Sequence, residues 1–155
     1  MKTGFDKYMN LDLIFPHLNC RSKKDLIDDL SDKITKVVPE LVGKNLSRLI
    51  HERESQTSTA IGEELAFPHC RINSIDDIFV VVGICRKGIE YNAPDGKKVK
   101  FIFMVIGPES KSNEYLSILA HIAKAMFNSK LRKQLLLCKN AIDIFECLSH
   151  PISGN

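Results

Sequence analysis

The chain predicts a mixed α/β (α+β) domain in which helices cover a central β-sheet. Ile78–Cys85 and Val99–Ile106 are nearly continuous apolar, β-branched runs, the pattern of central strands covered on both faces. Segments with apolar residues at helical spacing precede and follow them. The length of 155 residues suits one domain, residues 1–155, and is too short for two comfortable ones.

The elements follow in order. Ser22-Lys23-Lys24-Asp25 resembles a capping box with Asp in place of Glu or Gln. Leu26, Ile27, Leu30, Ile34, Val37 and Val38 then recur at helical spacing, and Pro39 closes that helix. A second helix runs from about Asn45 to Glu54 on a stripe of Leu46, Leu49 and Ile50, with Arg53 extending that side. Residues 55–64 are small and polar and read as a loop. Leu65–Arg71 reads as a short strand.

Between the two long strands, Gly88–Ala93 offers a further strand, and Pro94-Asp95-Gly96-Lys97 a turn. After Gly107-Pro108 a helix spans about Asn113 to Phe127. Its expected inner stripe is Leu116, Leu119, Ala123 and Met126, with Tyr115 and Ile122 beside it. Its expected outer face carries Glu114, Ser117, His121, Lys124 and Asn128. Short helices follow near Lys130–Leu137 and Ala141–Leu148, the last with Asn140 as its N-cap. Pro151–Asn155 reads as a frayed tail.

Composition excludes several classes. Apolar content of 44% and charged content of 26% are those of a soluble globular protein. No apolar stretch approaches the roughly 20 residues that span a bilayer, and no signal peptide opens the chain, so a cytoplasmic protein without membrane insertion is expected. A net charge of +3 is too weak to argue for nucleic acid. Cys20, Cys70, Cys85, Cys138 and Cys147 are odd in number and lack Cys-x-x-Cys spacing; reduced, mostly buried thiols are expected rather than disulfides or a zinc site.

Among the five histidines, His69 stands apart. It follows Pro68, which fixes its own φ and pushes Phe67 towards an extended conformation, so the backbone entering the histidine has few options. Imidazole can act as nucleophile, acid or base near neutral pH. The loop before it supplies Thr57, Ser58 and Thr59 hydroxyls and backbone amides, and Arg53 closes the preceding helix. These are the donors that a phosphoryl group on His69 requires, since phosphoryl transfer is mainly positioning and charge stabilisation. From chemistry alone Arg53 is equally a surface ion-pair partner for Glu54. Phe15-Pro16-His17 copies the local motif but lacks the upstream glycine-bearing loop; His51, His121 and His150 read as surface or half-buried positions.

The run Arg53-Glu54-x-x-x-x-Thr59-x-Ile61-Gly62-x-x-Leu65-Ala66-Phe67-Pro68-His69-Cys70 resembles the histidine signature of the fructose–mannitol type enzyme IIA family of the bacterial sugar phosphotransferase system. The family's nitrogen-regulatory branch shares that signature. Gly88–Ala93 with Asp95-Gly96, Val99–Pro108 and Leu116–Lys124 also fit the family pattern, which covers about residues 10 to 149. The resemblance implies a mixed sheet sandwiched by helices and a phosphohistidine carrier, a transferase that needs no cofactor beyond the covalent phosphoryl group on His69. It carries the phosphate-holding arginine and threonine of the family onto Arg53 and Thr59. The implied donor is the phosphohistidine protein HPr or its nitrogen-branch counterpart. The implied acceptor is an enzyme IIB, or a regulated target protein if phosphorylation state only signals.

Two positions depart from the pattern. Phe67 replaces a smaller aliphatic residue, a packing change. Tyr115 stands where the family commonly carries a second histidine beside the phosphorylated one. Tyrosine can orient phosphate or His69 by a hydrogen bond but brings no positive charge at neutral pH. A regulatory binding protein on the same fold, docking to a transporter or kinase, is the alternative to a carrier. A metal-dependent hydrolase finds no His-Glu-x-x-His and no ligand set.

Overall fold

A computed structural model describes residues 4–150; the expected tail at 151–155 lies outside them. Six strands and five α-helices are present among the described residues: β1 (Met9–Phe15), α1 (Lys23–Val37), α2 (Leu46–Gln56), β2 (Ala60–Gly62), β3 (Leu65–Ala66), β4 (His69–Arg71), β5 (Phe79–Ile89), β6 (Val99–Gly107), α3 (Ser112–Met126), α4 (Ser129–Leu137) and α5 (Ala141–Ser149). They form the expected sandwich of a mixed sheet between helices. The sheet order is β1-β5-β6-β3-β2, with β4 also paired to β6. β5 and β6 are antiparallel, as are β2 and β3, whereas β1 runs parallel to β5, and β3 and β4 run parallel to β6.

Side-chain alternation divides the interior in two. Ile102, Met104 and Ile106 of β6 pack against Leu26, Leu30 and Ile34 of α1 and Ile50 of α2. Phe101, Phe103 and Val105 face the other way, onto Tyr115, Ile118, Ile122 and Met126 of α3 and the helices after it. Both central strands are thus buried on both faces, as their unbroken apolar runs require.

β3 and β4 are one strand interrupted. Leu65 and Ala66 pair with Phe101 and Ile102; His69, Cys70 and Arg71 pair with Val105, Ile106 and Gly107, in the same register. The break falls on Phe67-Pro68, where proline has no N–H to donate to a ladder. β2 covers the outer edge of β3 only, and its last link is Phe67 N–H to Thr59 O at 3.1 Å. Beyond that point β2 no longer covers the edge, and His69 stands there.

Helix ends follow the local chemistry. The Ser22 hydroxyl accepts from Asp25 N–H, and the Asn140 side chain accepts from Asp143 N–H. Asn45 caps α2 in the left-handed region, and the helix runs two residues past the expected end, to Gln56.

Several expectations need correction. β1 has no alternating pattern, because the strand slips register between Met9, paired with Val80, and Ile14, paired with Val82, leaving Asn10, Leu11 and Asp12 exposed, and the sequence reading missed it. Residues 55–64 are not all loop: three of them form β2. Gly88–Ala93 is not a separate strand. β5 itself runs to Ile89, through a register shift and a Gly88 φ of 80°, and the chain then leaves the sheet. α3 is rotated from its expected stripe: Tyr115, Ile118, Ile122 and Met126 are buried, and Leu116 is 54% exposed. All five cysteines are free, but only Cys70 and Cys85 are buried.

Candidate functional site

His69 lies at the open edge of the sheet, in a cavity of about 330 Å³. Leu49, Glu52, Arg53 and Gln56 of α2 form one wall, Tyr115 and Leu116 of α3 the other, and His69, Cys70 and Arg71 of β4 the floor. The cavity therefore straddles both layers, at the place where β2 has left the edge. A larger cavity, about 700 Å³, lies between α4 and α5, and neither His69 nor the two arginines line it.

The imidazole is held by its own backbone. Nδ1 lies 2.7 Å from the carbonyl oxygen of Phe67. A carbonyl only accepts, so Nδ1 carries the proton and Nε2 is the free base. The ring is half-buried, and the Tyr115 ring meets it edge-on at 6.0 Å between centroids. Burial pushes the imidazole below its ordinary range, as do the Arg53 and Arg71 charges; the Phe67 carbonyl and Glu54 oppose them, and the net direction is down. Neutral imidazole is the nucleophilic form.

Arg53 donates to Thr57 O at 3.1 Å, which places its guanidinium at the mouth of the loop. It forms no ion pair with Glu54. Neighbours on a helix diverge by about 100°, and Glu54 turns inward. There it is 6% exposed and accepts from Thr59 N–H at 3.1 Å, from the Thr59 hydroxyl, from Tyr91 OH at 2.9 Å and from Lys23 Nζ at 2.8 Å. Burial raises this carboxyl, but Lys23 and Thr59 together outweigh it, and the net direction is down.

Of the four expected site residues, His69, Arg53 and Tyr115 share the cavity and Thr59 does not line it. The Thr59 hydroxyl is committed to Glu54, with Tyr91 OH 3.4 Å away. Tyr115 offers its ring rather than its hydroxyl. The hydroxyl donates to Val105 O at 3.4 Å inside the core, where burial raises the phenol well above its ordinary value. Gly107 makes room for that ring: a Cβ there would stand 3.2 Å from Tyr115 Cδ2 and 2.9 Å from Ile78 Cγ1.

Sequence reasoning overlooked Arg71, which a period of two places on the face of His69. Its guanidinium lies 5.2 Å from the Tyr115 ring centroid. Among the described residues neither Arg53 nor Arg71 forms an ion pair. Three other histidines are occupied elsewhere, His17 against Lys139 O, His51 on Asp28 and His121 against Ser117 O, and His150 lines the larger cavity between α4 and α5.

Fold and cavity define a class of protein, an α/β sandwich that presents one neutral histidine at the uncovered edge of its sheet. The chain belongs to the family described as "Phosphoenolpyruvate-dependent sugar phosphotransferase system, EIIA 2", whose family model matches residues 7–150. It is 28% identical over 141 residues to a nitrogen regulatory protein of Bradyrhizobium diazoefficiens, covering 89% of this chain and 90% of that one. It is 26% identical over 133 residues to the fructose-specific EIIABC component of Bacillus subtilis, covering 86% of this chain but only 21% of that longer protein. Among solved structures it is similar to nitrogen regulatory protein IIA-Ntr of Neisseria meningitidis, with a TM-score of 0.86 at 23% identity, over 94% of this chain and 99% of that one. The enzyme IIA resemblance read from the histidine signature and the expected sandwich fold are both borne out.

Proposed function

We propose that the protein is a cytoplasmic phosphohistidine carrier: His69 Nε2 takes a phosphoryl group from the phosphohistidine of an HPr-type donor. The observation that carries this reading is the Nδ1–H bond to Phe67 O, which leaves Nε2 as the base in a cavity with unpaired guanidinium charge. Nε2 attacks phosphorus in line with the donor nitrogen. The new P–Nε2 bond forms as the donor's P–N bond breaks, and the departing imidazole leaves neutral. The positive charge passes to the His69 ring, whose Nδ1–H already faces the Phe67 carbonyl. Arg53 and loop amides hold the equatorial oxygens, and Thr59 acts from behind by fixing the loop on Glu54. No cofactor takes part. The phosphoryl group passes on to an enzyme IIB or stays as a signal.

Tyr115 favours a second reading. Its hydroxyl is turned into the core, so the site has one imidazole and no second one to assist transfer. A regulatory protein that docks to a transporter or kinase according to the state of His69 needs only slow transfer. The nitrogen regulatory relative is in keeping with that role. Incubation with phosphoenolpyruvate, enzyme I and HPr or its nitrogen-branch counterpart, read by intact mass, tests the proposal. An acid-labile phosphoryl group on the wild type and none on His69→Ala is the expected result. Labelling of His69→Ala to the wild-type extent overturns it.

A further inference from the structure

We propose that Arg71 is a second phosphoryl-binding group of this site, supplying from β4 the positive charge that Tyr115 does not bring from α3. The inference rests on the reading that His69 accepts a phosphoryl group.

Position comes first. Arg71 is two residues after His69 on one strand, so both side chains leave the same face. Both line the same cavity. The pairing of β4 with Val105–Gly107 of β6 fixes their separation along the strand.

Charge comes second. The guanidinium is exposed and, among the described residues, has no carboxylate partner. Its recorded contact is the Tyr115 ring at 5.2 Å, a cation–π placement. A neutral ring tolerates that cation; an imidazolium at the same position would repel it. The aromatic wall thus serves both groups, meeting His69 at one contact and carrying Arg71 at another. A phosphoryl group on nitrogen carries close to two negative charges at neutral pH, and Arg53 with Arg71 would match them.

Phosphoramidate tests the site without any docking surface. Neutral His69 attacks its phosphorus, the P–N bond breaks and ammonia leaves, carrying all three nitrogen-bound protons; the ring keeps its Nδ1 proton and gains the positive charge. Rates of acid-labile labelling of His69 are compared at pH 8, above the ordinary imidazole range. Arg71→Ala should label about tenfold more slowly than wild type, the loss expected for one charge-assisted contact. Arg71→Lys should recover part of the rate and Arg71→Glu should be slowest. The differences should shrink as salt screens the site. Melting temperatures should stay level across the series, because Arg71 is exposed.

A rate that ignores the charge at position 71, or a wild type whose His69 phosphoramidate does not label, overturns the proposal. Arg71-dependent labelling by phosphoramidate with no labelling by any HPr-type donor supports the role of Arg71 while removing the carrier reading.

Discussion

His69 Nδ1 lies 2.7 Å from the carbonyl oxygen of Phe67, two residues back on the same chain. Pro68 separates them, and its fixed φ shapes the step that brings carbonyl and ring together. The tautomer that frees Nε2 is therefore written in three consecutive residues.

This arrangement makes stability depend on pH. The folded protein lowers the His69 pKa below 6.5, chiefly by burial. The unfolded chain then binds the proton more readily, so the contribution of this group is fully present above about 6.5 and is lost as pH falls through the folded value. Urea unfolding of wild type and His69→Gln between pH 8 and pH 5 checks this. The wild type should lose stability relative to the variant on the acid side.

Arg53→Ala should slow phosphoryl transfer to His69 by about tenfold to a hundredfold. Its exposed side-chain hydrogen bond to Thr57 O predicts a stability change below about 0.5 kcal/mol. Transfer kinetics beside a denaturation curve separate the two effects.

The Glu54 network should behave in the opposite way. Tyr91→Phe removes one of four donors to a buried carboxylate and should cost about 1 kcal/mol. Glu54→Ala leaves Lys23, Thr59 and Tyr91 without their acceptor and should cost about 3 kcal/mol. Because the Glu54 pKa is lowered, its contribution is present above the unfolded value and disappears as pH falls through the folded one. Chemical denaturation at neutral and acid pH reads both effects.

Gly107→Ala should disturb the site from behind. The new Cβ meets Ile78 and then the Tyr115 ring, and overpacking of this kind costs about 1–3 kcal/mol. The His69 ring signals should shift in NMR spectra as Tyr115 moves; unchanged spectra would show that Ile78 absorbs the strain alone.

Much of the scaffold was legible because its signals are local. The β-branched runs of β5 and β6 are apolar throughout because both faces are buried. The Ser22 and Asn140 caps follow from side chains that reach their own backbone. β1 was not legible, since an edge strand with three successive exposed residues has no period. The stripe of α3 was misread because Leu116 is as apolar as its neighbours. Only the packing of Tyr115 beneath His69 and against β6 selects the face.

The sequence by itself determined the histidine: Phe67-Pro68-His69 acts over three residues, and a bond between residues two apart needs no other part of the chain. Tertiary structure alone decided what surrounds it. Arg53 and Glu54 are adjacent in sequence, yet one reaches the cavity and the other the core, because α2 packs with Ile50 inward. Arg71 and Tyr115 are 44 positions apart and meet only because β4 and α3 both lie against the end of β6. Local hydrogen bonding selects which imidazole nitrogen is left as the base; long-range packing selects the charges that share its cavity.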